Sequence, residues 1–373
     1  MIYLDYAATT PVRKEVLEVM LPFFTEKFGN PSSQHELGLE AKRTIDESRK
    51  KISSLLGTKP SEIIFTSGGT ESINLALIGI ARALTDKGKH IITSKTEHKA
   101  VLETCKFLEN EGFEVTYLSV DKYGLINLNE LEKSIHDNTI LISINYANNE
   151  IGTIQPAAEI SEIAKRKKVL FHTDACQAAC SDLKNKFDLI TLNGSKIYGP
   201  KGIGILAVRS EAPLIPLIHG GSQEFGKRAG TENVPGIVGF AKALELSCRE
   251  SQKECARLRD LQKFFISEIT TKISGATLNG HPEKRLSNNV NFSFAGVDDS
   301  AVLEYLNQRK IYASSGSACD TGNINVSHVL KAIKAKDTEG TIRFTFGLET
   351  TKGQLVKVIA ALQEIIESLR KIS

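Results

Sequence analysis

Between about Ser61 and Val208, short β-branched or apolar runs alternate with helical patterns, and this alternation restricts the fold more than any other feature of the chain. The runs are Ile63-Ile64-Phe65, His90-Ile91-Ile92-Thr93, Val115 to Leu118, Ile140 to Ile144, Val169-Leu170-Phe171, Leu189-Ile190-Thr191 and Ile203 to Val208. Strands separated by helices predict a mostly parallel sheet covered by helices on both faces. Such sheets bind ligands beyond the carboxyl ends of their strands. Gly68-Gly69-Thr70, Asn148-Asn149-Glu150 and Asp174 are therefore expected to gather there.

After Pro235 the pattern changes to a long polar helical stretch, roughly Gly236 to Thr271, which reads as a connector into a smaller α+β unit. A chain of 373 residues exceeds the length at which one core usually splits, so two domains are expected. The formal net charge of +3 is small and the basic residues are dispersed. That argues against nucleic acid or a membrane as a partner and leaves a small acidic metabolite open. Met1 to Thr10 has no basic leader followed by an apolar core, and no later apolar run is long enough to span a bilayer, so a cytoplasmic protein is expected. Six irregularly spaced cysteines do not resemble a disulfide framework and fit a reducing compartment. His172, Cys176 and Cys180 form an i, i+4, i+8 ladder, but it crosses a strand-to-helix junction and lacks a fourth ligand. No metal is expected.

Lys196 lies in the Gly-rich run Leu192 to Gly202, where a lysine by itself is usually a solvated surface charge. Upstream, a strand-like run ends in Asp174. An aspartate able to face a pyridinium nitrogen is the natural partner of a Schiff-base lysine, so the pair suggests pyridoxal phosphate. A plain helix N-cap is the alternative reading of Asp174. Gln177, three residues on, supplies an amide for the ring's phenolic oxygen. Thr66 to Ser72 follows a strand and opens a helix, a place suited to a phosphate. It lacks the Gly-Lys-Ser/Thr of a nucleotide-binding loop, which favours a cofactor phosphate. His98 follows a strand, where an imidazole can stack on a planar ring and move protons. Cys319 sits in the small polar run Ala313 to Asn323, which gives a thiol little reason to be buried and favours a nucleophile over an incidental surface cysteine. Arg343 falls mid-strand in Thr341-Ile342-Arg343-Phe344, an expensive place for a guanidinium unless it meets a carboxylate. That carboxylate belongs either to a ligand or to an intramolecular salt bridge.

Taken in order, Tyr3 to Pro11, Phe28 to Ser33, Thr66 to Ser72, Thr96 to Val101, Asn148 to Gly152, His172 to Gln177, Lys196 to Gly202, Arg228 to Thr231 and Ser314 to Cys319 resemble the cysteine desulfurases of the NifS/IscS type. These belong to the class V aminotransferase branch of fold-type I pyridoxal phosphate enzymes. The resemblance implies an α/β fold-type I transferase: a mostly parallel mixed sheet flanked by helices, plus a smaller α+β domain. The implied division is an N-terminal segment 1–15 packing on the small domain, a large cofactor-binding domain 16–250 and a small domain 251–373 that carries the cysteine. It further implies conversion of L-cysteine to L-alanine, with sulfur passing to a Cys319 persulfide and on to an acceptor protein, either an iron–sulfur scaffold or a tRNA-thiolation protein. In that reading Lys196 is the Schiff-base lysine, Asp174 pairs with the pyridinium, Gln177 contacts the ring oxygen and His98 stacks on the ring. Gly69, Thr70 and Ser195 hold the phosphate, Thr231 reaches it from the other subunit of a homodimer, and Asn149 lies near ring and substrate. Arg343 grips the substrate carboxylate.

The chain departs from the family pattern at Ser195, where histidine is common, at Asp320, an anion beside the thiol, and at Gly347 to Thr351, which lacks the usual Arg-Phe/Tyr pair. Two other readings share these motifs: a selenocysteine lyase or other class V aminotransferase, and a weakly active, partner-dependent sulfur-relay subunit.

Overall fold

The computed structural model describes residues 1–179, 181, 183–184, 187–316, 327–335 and 339–371. Its strands are β1 (Ile2–Tyr3), β2 (Ile63–Thr66), β3 (His90–Ser94), β4 (Glu114–Leu118), β5 (Thr139–Ser143), β6 (Leu170–Asp174), β7 (Leu189–Asn193), β8 (Gly204–Val208), β9 (Ala276–Asn279), β10 (Asn289–Ala295), β11 (Ile311–Tyr312) and β12 (Glu339–Thr345). The central sheet has the order β2-β8-β7-β6-β5-β3-β4. Neighbours from β4 across to β7 pair in parallel, as the alternation predicts. β8 is antiparallel to both β7 and β2. The residues between β7 and β8 hold only one turn of 3-10 helix, Gly194–Lys196, and a chain that returns without a crossover helix can pair only antiparallel. Since β2 and β7 both oppose β8, β2 runs in the same direction as the parallel set.

β3, β5 and β8 are buried along their whole lengths, which accounts for near-continuous runs such as Ile91-Ile92 and Ile140-Leu141-Ile142. Successive side chains leave the sheet on opposite faces. Ile92, Ile142 and Ile205 join one apolar core, while Ile91, Leu141 and Leu206 join the other. Helices cover both faces. Helix Val234–Lys272 contributes Ile237, Phe240 and Leu244 to the first of these cores, and then Leu258, Phe265 and Ile269 to a separate one. This further core lies around the antiparallel sheet β12-β10-β9 and helix Lys352–Arg370. The N-terminus belongs to the same unit: β1 pairs with β11, Leu4 enters its core and Asp5 bridges Thr345. β1, β9 and β11 were not foreseen, because two- and four-residue strands lack enough length for a periodic signal. No described helix is long and apolar enough to cross a membrane.

Candidate active site

Strands β2, β3, β5, β6 and β7 end on one side of the sheet, and the residues just beyond them line a cavity of 210 Å³. After β2, Gly69 and Thr70 open helix Gly69–Ala83, whose first-turn amides have no acceptor within the helix and mark its positive end. A Cβ at Gly69 would lie 3.0 Å from Cys176 Sγ and 3.5 Å from Asn193 Nδ2, so glycine keeps this corner of the cavity open. After β3, His98 caps helix Lys99–Asn110, with Nδ1 accepting from the Ala100 amide at 3.0 Å. A neutral imidazole that accepts at Nδ1 carries its proton on Nε2. After β5 come Asn145, Ala147 and Asn149.

β6 and β7 pair with Asp174 opposite Thr191, which sets the end of one beside the turn that follows the other. Asp174 Oδ1 accepts from the Cys176 amide at 3.0 Å, and Gln177 Nε2 donates to Ala7 O at 3.0 Å. Asn193 Oδ1 accepts from both the amide and the hydroxyl of Ser195, each at 3.2 Å. Lys196 Nζ donates to Ala7 O at 2.9 Å and to Ala8 O. The turn bearing the lysine is itself held by the N-terminal segment. Thr10 Oγ1 donates to Ser195 O at 2.9 Å and accepts from the Tyr198 amide at 2.8 Å.

Arg343 reaches the same cavity from β12. Its side chain is 2% exposed, and it has an intramolecular partner: Nη2 donates to Asp5 Oδ1 at 2.7 Å, while Nη1 donates to Asn149 O at 3.2 Å. The salt bridge left open by sequence is therefore present, and Asp5 supplies it. Nε of Arg343 and Oδ1 of Asn145, both on residues lining the cavity, are buried with no hydrogen-bond partner among the described residues.

Gly69, Thr70, His98, Asn149, Asp174, Gln177, Lys196 and Arg343 thus share one cavity. Ser195 is half-buried, bonded to Asn193, and is not part of the lining, and Thr231 is exposed and also outside the lining. Cys319 and Cys180 lie outside the described residues. His172 is buried with both ring nitrogens on hydroxyls, Nδ1 with Ser143 at 2.9 Å and Nε2 with Thr191 at 3.0 Å. It makes no metal cluster with the other described residues.

Sequence reasoning missed Asp5, Asn145, Asn193 and Glu97. Glu97 is wholly buried beside His98, accepting from Ser94 Oγ at 2.6 Å and from the Asn145 amide at 2.9 Å. Burial pushes its carboxyl up to about 8, and the Asp174 charge pushes in the same direction. Burial also drives the Cys176 thiol well above its ordinary value, with Asp174 adding to the shift, so Cys176 stays protonated at neutral pH. Glu97 alone had a signal, since it lies in the same Thr96 to Val101 motif as His98.

The donor set suits pyridoxal phosphate. A helix N-terminus with a threonine hydroxyl fits a phosphate, a carboxylate fits a pyridinium, an imidazole fits the face of a ring, and a lysine amine fits an aldehyde. The open corner at Gly69 and the orphaned polar atoms at Asn145 and Arg343 mark room for a polar guest.

The family model for aminotransferase class-V matches residues 2–358. Cysteine desulfurase IscS of Dictyoglomus turgidum is 53% identical over all of this chain and 96% of its own length. Among solved structures, a NifS-like protein superposes with a TM-score of 0.92 at 38% identity, covering 98% of this chain and 99% of that one. A structure described as SspA in complex with cysteine gives a TM-score of 0.82 at 40% identity, covering 93% and 99%.

Proposed function

The chain belongs to the class V aminotransferase family and, within it, to the pyridoxal phosphate-dependent cysteine desulfurases, and on that premise we propose how its own residues divide the reaction. Gly69 and Thr70 would hold the cofactor phosphate, with Ser195 joining them by turning its hydroxyl from Asn193, and with Thr231 of the partner subunit reaching it in a homodimer. Asp174 meets the ring nitrogen, Gln177 the ring oxygen and His98 the ring face, with Asn149 beside ring and substrate. When bound, the cofactor supplies the electron sink for the pair released at the substrate Cα.

Arg343 grips the carboxylate of L-cysteine with the part of its guanidinium that Asp5 and Asn149 O leave unused. Lys196 Nζ is the amine that would hold the cofactor, and as a free amine it takes the Cα proton. The carbonyls of Ala7 and Ala8 are acceptors already in place for the resulting ammonium. His98 moves protons at Nε2. The Cys319 thiolate then attacks the substrate sulfur: an S–S bond forms, the substrate Cβ–S bond breaks, and its electron pair stays with carbon, where protonation completes alanine. L-Cysteine and the Cys319 thiol are thus converted to L-alanine and a Cys319 persulfide, with no outside oxidant.

The observation that carries this reading is the convergence of Lys196, Asp174, His98 and a buried Arg343 on one cavity from four separate strands. Lys196→Ala is expected to abolish the visible absorbance of the lysine-bound cofactor; an unchanged spectrum sinks the lysine assignment. Cys319→Ser is expected to bind L-cysteine yet gain no sulfur from the labelled substrate, and persistent labelling removes Cys319 from the mechanism.

The homodimer is supported by Thr231, exposed and outside the lining of its own cavity, and by the exposed apolar side chains Leu17, Leu21, Phe24 and Phe28. We further propose a cytoplasmic setting and an iron–sulfur scaffold as sulfur acceptor. A transfer assay from labelled cysteine, with an iron–sulfur scaffold and a tRNA-thiolation protein as competing acceptors, tests the second.

A further inference from the structure

The residues on either side of 317–326, the segment that carries Cys319, are bonded to the walls of the cavity. Upstream, Ser314 and Arg343 exchange backbone hydrogen bonds, Ser314 N to Arg343 O at 3.2 Å and Arg343 N to Ser314 O at 2.6 Å. Downstream, Ser327 Oγ donates to Glu150 Oε2 at 2.5 Å, a length typical of a hydroxyl on a carboxylate. His328 Nε2 lies 2.9 Å from Glu97 O, and because a carbonyl can only accept, Nε2 is the donor. Each bond falls on a residue of the site or on its immediate neighbour: Arg343 itself, Glu150 next to Asn149, and Glu97 next to His98.

Glu150 is the point where the two flanks meet. It is 1% exposed. Its amide donates to Asn148 Oδ1 at 2.9 Å, and its carbonyl accepts from Asn291 Nδ2 at 3.2 Å. With its backbone fixed in this way, the carboxylate faces both ends of the segment: Ser327 through the hydrogen bond, and Gly316, where a Cβ would lie 3.0 Å from Oε2. Gly316 also has φ +61°, so glycine is needed there for conformation as well as for space. Ser327 Oγ accepts in turn from the Val329 amide at 3.1 Å, so one hydroxyl both caps helix His328–Ala332 and anchors it to Glu150.

We propose that Glu150, Ser327 and His328 are positioning residues for sulfur transfer, fastening the chain that bears Cys319 to the cavity from which it collects sulfur. This rests on the role of Cys319 proposed above. None of the three lines the cavity, so their side chains do not touch bound cofactor or substrate directly. Transfer does depend on them, because two sulfur atoms must come into contact and a misplacement of about 1 Å can cost roughly 100-fold in rate.

The test uses the holoenzyme with labelled L-cysteine and follows three quantities: cofactor absorbance, KM for cysteine, and the rate at which label appears on Cys319. Ser327→Ala and Glu150→Gln are each expected to slow labelling by about 10- to 100-fold. Absorbance should stay unchanged and KM should move less than about twofold, the signature of an interaction that matters only during transfer. Ser327→Thr, which keeps the hydroxyl, should restore the rate. Labelling at the wild-type rate in both variants overturns the proposal, as does a fall in which KM and absorbance change together with the rate. If Cys319→Ser takes up label as the wild type does, the underlying assignment of Cys319 fails, and that outcome is separate from the other two.

Discussion

Arg343 and Asp5 are 338 positions apart in the chain, yet they form an ion pair at 2.7 Å inside the site. The guanidinium is almost wholly buried, so removing Asp5 leaves an uncompensated charge. Asp5→Ala is expected to lower stability by about 2–3 kcal/mol, no more than the low end for a buried pair because Asp5 keeps some contact with water. Urea unfolding measures the loss. L-Alanine, the reaction product, should then stabilise the variant more than the wild type, because its carboxylate replaces the missing one. Equal stabilisation of the two proteins would mean that the ligand carboxylate does not compensate the charge that Asp5 leaves behind. An arginine in an apolar strand announces that it needs an anion, and that much was legible in sequence. Which anion was not legible, since no local pattern links β12 to the first residues of the chain. Lys196 and Asp174 were legible for the opposite reason: Asp174 ends one strand-like run and Lys196 lies in the turn just after the next, and the parallel sheet brings such ends together.

At the scale of elements, the N-terminal segment does more than its two-residue strand suggests. Residues 5–10 hold Arg343 through Asp5, Gln177 and Lys196 through backbone carbonyls, and the lysine-bearing turn through Thr10. Thr10 is 2% exposed and its hydroxyl serves as both donor and acceptor, so Thr10→Val keeps the shape and orphans the Tyr198 amide, while Ser195 O keeps the bond from the residue 10 amide at 2.9 Å. The expected cost is about 2 kcal/mol, with recovery in Thr10→Ser, both read from urea unfolding. No loss in Thr10→Val would mean that the turn holds its place without the Thr10 hydroxyl, on backbone bonds alone. The parallel part of the sheet, the long helix after Pro235 and the final helix were readable because each has enough length for a period to show. The direction of β8 was not, since its apolar run reads the same either way. It is decided by the short return from β7, and that same return sets Lys196 beside Asp174.

For the molecule as a whole, two buried groups pull the pH dependence of stability in opposite directions. His172 is driven down from 6.5 to about 4 by burial. Between those values the unfolded chain binds a proton that the folded chain refuses, so stability rises with pH. Glu97 is pushed up from 4.5 to about 8. Between those values the folded chain keeps a proton that the unfolded chain gives up, so stability falls as pH rises. From about 4.5 to 6.5 the two oppose each other and the dependence is shallow. From 6.5 upward the unfolded histidine loses its remaining proton, the His172 contribution fades over about one pH unit, and Glu97 then lowers stability by up to about 1.4 kcal/mol per pH unit. Glu97→Gln removes that slope. It also turns an amide toward the Asn145 N–H, which costs stability at every pH, so the slope is the quantity to measure rather than the absolute value. Urea unfolding of both proteins at pH 6.5, 7.2 and 8 is expected to show the wild type losing stability over this range more steeply than the variant. Parallel losses would mean that Glu97 is already ionised at pH 6.5, with its negative charge held close to Asp174.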